Sequence, residues 1–232
     1  MMNKIKESNQ VAIVSNFQDL IGHRFHNDNN AVCWQRNLVA DFQEIVDKLT
    51  LSSNITEISI DDLNSLQLLP AGEEARGIIM NDLLLLTDYG GSPSLNLIRC
   101  YDRDDSLDYI STDVYSYHVD RSPVATDTFL CTYYGAASDI VPNQECIRKM
   151  DIPEIREKLM QLYDDSSKDF EEFLADNYFD LHYQALPGAQ PTNLGNGNLW
   201  RLAVDHPGQE VLPCVHRAPE EKDGQLRLLL IC

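Results

Sequence analysis

The sequence changes character at one place, the breaker Gly90-Gly91-Ser92-Pro93, and that division limits the folds open to the chain. Before it, apolar residues recur mainly at helical spacing. Leu38, Val39, Phe42, Ile45, Val46 and Leu49 predict an amphipathic helix of about four turns. Ile55 to Ile60 alternates and predicts a short strand. Asp61 is then placed to cap a helix that reaches about Leu69 and is ended by Pro70. Glu73 to Tyr89 predicts another helix. After the breaker, Leu95 to Tyr101, Tyr109 to Val119 and Asp127 to Tyr134 are rich in Tyr, Val, Ile and Thr, and predict strands. Pro153 opens a helical insert, expected over residues 152–183, with Ile155, Leu159 and Leu162 along one stripe. Leu199 to Val204, Glu210 to His216 and Gln225 to Ile231 predict three closing strands. The last is apolar on both faces, as a covered strand requires.

Helices, then strands, then a helix, then strands: this order does not suggest a regular βαβ sheet, and no glycine-rich phosphate loop is present. The predicted class is α+β, with an antiparallel sheet or barrel over residues 94–232 and its helical insert. A mainly helical layer, residues 1–93, packs on it as part of one structural unit.

Charge narrows the partners. The chain carries 37 Asp and Glu against 18 Lys and Arg, a formal charge of −19. Such an excess opposes any sequence-independent grip on a phosphate backbone, and equally docking on an anionic lipid surface, so neither nucleic acid nor membrane is an expected partner. Six cysteines are scattered with no C-x-x-C pair. Free, buried thiols and a polar Met1 to Gln10 lead to the expectation of a cytoplasmic protein.

The residues with chemical promise lie in the strands. His118 and Asp120 flank Val119, and on a strand side chains two apart share a side. They could hold a metal together, or form a simple histidine–carboxylate pair. A second histidine, His216, sits on a late strand, and Arg227 follows eleven residues later. Two histidines and a carboxylate make the facial triad of non-haem iron(II) sites, which leaves positions open for oxygen and an organic acid. Arg227 could clamp the far carboxylate of that acid. Cys214, two residues before His216, is a further candidate ligand and would favour zinc(II). Arg99 and Tyr101 are placed to point into the barrel mouth. Tyr133 could hydrogen-bond an oxoacid or simply pack the barrel lining.

In these motifs the sequence resembles the 2-oxoglutarate and iron(II)-dependent dioxygenases, over residues 95–231. It looks closer still to an uncharacterised bacterial family, domain of unknown function 1826. The matching stretches are His118 to Arg121, Leu130 to Gly135, Val215 to Pro219 and Arg227 to Leu230, joined in the second family by Ala31 to Arg36. The resemblance implies a double-stranded β-helix (a jelly-roll or cupin-like barrel). It implies His118, Asp120 and His216 as ligands of Fe(II), 2-oxoglutarate held by Arg227, and hydroxylation of a small molecule or a protein side chain. The dioxygenases usually carry Ser or Thr two residues after the arginine, whereas Leu229 stands here. Members of the second family are often encoded beside zinc-homeostasis proteins. Non-catalytic zinc binding, or a metal-free interaction module, are therefore the alternatives to an oxygenase.

Overall fold

A computed structural model describes residues 5–164, 169–220, 222 and 224–232 of the 232-residue chain. Residues 1–4 of the polar N-terminal stretch and 165–168 of the expected helical insert lie outside the described residues. The first part of the chain forms β1 (Val11–Val14), α1 (Phe17–Gly22), β2 (Ala31–Trp34), α2 (Phe42–Lys48), β3 (Ile55–Glu57), α3 (Ile60–Ser65) and α4 (Pro70–Asp88). Then come β4 (Ser94–Ile98), β5 (Tyr117–His118), β6 (Asp127–Tyr134), β7 (Asp139–Ile140) and β8 (Cys146–Arg148). The insert supplies α5 (Pro153–Leu162) and α6 (Phe170–Asp176), and the chain closes with β9 (His182–Ala185), β10 (Thr192–Asn193), β11 (Leu199–Ala203), β12 (His216–Arg217) and β13 (Arg227–Ile231).

The result is a mixed α+β structure with two sheets. The larger has seven strands in the order β1-β2-β11-β6-β13-β4-β3, antiparallel except for the β1–β2 pair. The smaller runs β10-β7-β12-β5-β9-β8, antiparallel throughout. Three strands of the larger sheet come from residues 1–93, so this part is more than the helical layer expected. β1, in which Val11 alone is fully buried, and β2, buried over Ala31 to Cys33, are non-alternating four-residue runs, too short to carry a readable period. The predicted helix over Leu38 to Leu49 is confined to α2, where Asp41 caps the Glu44 N–H. In α3 the cap is Ser59, in a reciprocal capping box with Asp62, rather than Asp61.

Strand alternation sorts the core. Along β6, Phe129, Cys131 and Tyr133 pack with Phe42, Ile45, Ile79, Leu83 and Leu86 of the helices. Leu130, facing the other way, packs with Trp200, Leu202 and Leu229 of the large sheet and with Ile140 of the small one. The helices therefore cover one face of the large sheet and the small sheet covers the other. β13 contributes to both sides, Leu228 and Leu230 to the helices and Leu229 between the sheets, which is why it reads as apolar throughout. All six cysteines are free thiols. Among the described residues, no helix is long and apolar enough to cross a membrane.

Candidate metal centre

His118 and His216 are direct cross-strand partners on β5 and β12, so their side chains leave the same face of the small sheet. Their rings lie 4.5 Å apart between centroids. Asp120, two residues after His118, joins them: one donor atom from each of the three residues lies within 4.8 Å of the others. Val119 and Tyr117 turn the other way, into a cluster with Val141, Leu181 and Val215. Ile140, paired with His216 and packed between the sheets, places the triad on the inter-sheet face.

The two imidazoles are oriented alike. Nδ1 of His118 lies 2.7 Å from the Ser116 carbonyl, and Nδ1 of His216 lies 3.1 Å from the Cys214 carbonyl. A carbonyl only accepts, so each Nδ1 carries the proton and each Nε2 presents a lone pair towards the cluster. This is the outer arrangement that metal-binding histidines use. Asp120 accepts a 2.5 Å hydrogen bond from the Thr128 hydroxyl of β6, and its Oδ2 lies 3.7 Å from Nε2 of His216. Burial works against the Asp120 anion, but His216, the Thr128 hydrogen bond and His118 outweigh it and hold its pKa below the usual value. The site thus presents two imidazole Nε2 atoms and one carboxylate. Replacing Thr128 by Val, which removes the hydroxyl and keeps the shape, is expected to weaken Zn(II) or Co(II) binding by about 10–100-fold. Unchanged affinity in a metal titration would remove Asp120 from the ligand set.

Burial, reinforced by His216, pushes the His118 imidazole down to about 4. Burial with the nearby Lys149 ammonium pushes His182 down to about 4. The unfolded chain protonates both near 6.5. Between about pH 6.5 and 4 the unfolded state therefore binds protons that the folded state refuses, and stability falls as pH drops through that window. Above it these two groups have no effect. The expected result is a urea midpoint of metal-free protein that declines from about pH 6.5 to 4, and a flat profile would contradict it.

Arg227 is 6% exposed, and no carboxylate forms an ion pair with it among the described residues. Its Nη2 donates to the hydroxyls of Ser138 at 2.9 Å and Thr132 at 3.1 Å, its Nη1 donates to the Tyr101 hydroxyl at 3.3 Å, and its Nε has no partner. Burial lowers its pKa, the mark of a cation without a counter-ion. Leu229 packs between the sheets, and Thr132 and Ser138 supply hydroxyls that position 229 lacks. Gly135, at φ +88°, passes so close to β13 that an added Cβ would lie 2.4 Å from the Leu226 carbonyl oxygen and 3.0 Å from Cα of Arg227. Only glycine lets the chain turn there beside the arginine.

Two sequence expectations, for Tyr133 and Cys214, are corrected. Tyr133 faces the helices, stacked on Phe42 with its hydroxyl donating to Asp82 at 2.7 Å, because odd positions of β6 point away from the small sheet. Cys214 is not in the donor cluster: its carbonyl faces Nδ1 of His216, and the residue packs in the apolar cluster of Trp200, Leu202 and Leu229. Burial, then the Asp120 charge, raises the pKa of that thiol far above its ordinary value. Arg99 lies just beyond the end of β4 and is exposed, at the rim of a small cavity that Tyr101 and Arg227 also line. Thr128, Thr132, Ser138 and His182 join the candidate residues only through the tertiary structure. Hydroxyl residues in strands carry no local signal, and His182 lay at the end of what reads as a helical insert. Compared with known proteins, the chain matches no family model, no curated protein and no solved structure.

Proposed function

We propose that this protein is a metal-dependent oxygenase of the 2-oxoglutarate type, its two sheets forming a double-stranded β-helix related to those dioxygenases and to the domain of unknown function 1826. The observation that carries this reading is the relation between the triad and Arg227 through β6. Thr128 holds Asp120 and Thr132 holds Arg227. The two threonines share one face of the strand, four residues and so about 13 Å apart. A five-carbon oxo-diacid, bonded to a metal at one end and hydrogen-bonded to a guanidinium at the other, suits such a separation.

The residues fit an iron(II) ion: two imidazoles with outward lone pairs and one carboxylate, with positions left for other ligands. His118, Asp120 and His216 would hold it, and it would supply the oxidising chemistry that couples decarboxylation of 2-oxoglutarate to hydroxylation of a C–H bond. The chain's own part is orientation. The Ser116 and Cys214 carbonyls fix the imidazoles, Thr128 fixes Asp120, and Arg227 with Tyr101 binds the far carboxylate. Zinc(II) on the same three ligands is the rival reading. A protonated, buried Cys214 outside the cluster does not favour a closed four-ligand zinc site. The test is anaerobic loading with Fe(II), then oxygen-dependent conversion of 2-oxoglutarate to succinate. Iron-loaded protein that neither binds nor turns over 2-oxoglutarate would end the oxygenase reading.

A further inference from the structure

The helical insert reaches the metal centre through one side chain. Lys149 follows β8 and opens a tight helical turn, Lys149–Asp151, that leads into α5. Its neighbour Met150 is buried among Leu159 of α5, Leu174 of α6 and Ile110 of the loop before β5. Lys149 bonds to the same loop: its Nζ donates to the Ser111 carbonyl at 3.2 Å and to the Ser116 hydroxyl at 2.6 Å. The Lys149-Met150 pair therefore ties the insert to the segment from Ile110 to Ser116, which ends two residues before the first metal-ligand candidate.

Lys149 is half-buried, and burial lowers its pKa. Asp113 and Asp104 stand near enough to favour its charge, but their oxygens are taken up elsewhere. Asp113 accepts from the N–H groups of Asp104, Tyr115 and Ser116, and Asp104 from the N–H and hydroxyl groups of Ser106 and Thr112. Both printed bonds of the ammonium end on neutral acceptors. These return less to a desolvated cation than a carboxylate would, so the lysine is poorly explained as a staple of the fold. What it does hold is Ser116. That residue is pinned at three atoms: its N–H by Asp113 at 3.3 Å, its hydroxyl by Lys149, and its carbonyl by Nδ1 of His118 at 2.7 Å. The corresponding carbonyl behind His216 belongs to Cys214, which the apolar packing between the sheets already fixes. Ser116 has no such packing, and β5 beyond it is only two residues long. We infer that Lys149 is a positioning residue of the metal centre: by gripping the Ser116 hydroxyl it holds the Ser116 carbonyl against Nδ1 of His118, and so keeps Nε2 of that imidazole aimed at the ion. The inference rests on the metal reading of the triad for the word ion, while the orientation of the imidazole needs no metal.

The test reads imidazole and metal separately in the full chain. In metal-free protein, long-range proton–nitrogen correlation spectra report which ring nitrogen carries the proton, with His118 assigned by its absence from His118→Ala. The parent is expected to show one tautomer, protonated at Nδ1. Lys149→Met, which keeps the length and loses the donor, should give a mixture of tautomers. It should also weaken Co(II) binding by about 10-fold, the loss typical of an outer partner of a ligating histidine. Ser116→Ala, which removes the hydroxyl and keeps the carbonyl, should do the same. The double variant should be no weaker than either single one, because both remove one contact, whereas independent effects would multiply to about 100-fold. A lysine that serves only the fold would change the melting temperature and leave the tautomer alone. Parent-like tautomer and affinity in Lys149→Met, or losses that multiply in the double variant, overturn the inference. Should Lys149→Met not fold, parent-like values in Ser116→Ala overturn it equally. A parent chain that takes up no Co(II) but shows the tautomer change removes the metal reading and keeps this one, whereas normal uptake with an unchanged tautomer removes this one alone.

Discussion

Replacing His118 and His216 together by alanine is expected to remove metal uptake. Each ligand of a protein metal site contributes roughly 2.5–4 kcal/mol when the total for a four-ligand zinc site is shared out, so losing two weakens binding by about 10⁴–10⁶-fold. The remaining Asp120, 36% exposed and held by Thr128, is no more than a surface carboxylate to a divalent ion. Elemental analysis after dialysis against excess Zn(II) or Co(II) is expected to show near-stoichiometric metal in the parent chain and background in the double variant. The fold should survive, because both imidazoles bond to carbonyls only two residues away and neither belongs to an apolar cluster. Unchanged metal content in a folded double variant would mean that any metal binds elsewhere. Both the oxygenase and the zinc reading would then fall.

The largest loss of stability is expected on the other side of the large sheet. Asp82, fully buried on α4, accepts from Nη1 of Arg36 at 2.7 Å and from the Tyr133 hydroxyl at 2.7 Å. Arg36, whose side chain is 7% exposed, also donates to the Gly197 carbonyl and contacts the Cys131 thiol. Asp82→Ala leaves that guanidinium buried and unpaired, a cost of about 3–5 kcal/mol. For a chain of this length that is a fall in melting temperature of about 6–20 °C. Replacing the pair with apolar residues of similar volume, Arg36→Met with Asp82→Leu, should recover most of the loss, because two buried charges cost about as much to desolvate as their attraction returns. A single Asp82→Ala variant within about 1 kcal/mol of the parent would show that the pair is hydrated. Metal binding should be unaffected in either variant, since the triad lies between the sheets.

The network also gives a structural role to Ala31 to Arg36, the stretch peculiar to the second family resemblance. Its strand, β2, pairs with β11, and Arg36 just beyond it ties the sheet to α4. The signal for its partner was present: Asp82 is a charged residue on a helix face otherwise made of Ala75, Ile79, Leu83 and Leu86. What no sequence rule supplied was the distance of 46 residues between the two charges.

Local physics made much of this protein legible. The breaker at residues 90–93 ends α4 where expected, Pro153 opens α5, and β6 spans the predicted Asp127 to Tyr134. A period of two puts His118 and Asp120 together with Val119 opposed, and the structure keeps that arrangement. Alternation, however, says which residues share a face and not what that face meets. Only the pairing of β5 with β12 and β9 put His216 and His182 beside His118, and only the stacking of two sheets turned Arg227 towards Thr132 and Ser138 and Tyr133 away from them. Register between strands a hundred residues apart is set by the whole core, so a strand of known residues can still have unknown neighbours. The sequence alone determined the chemical groups of this site and the two that lie on one strand; the tertiary structure decided which others stand beside them.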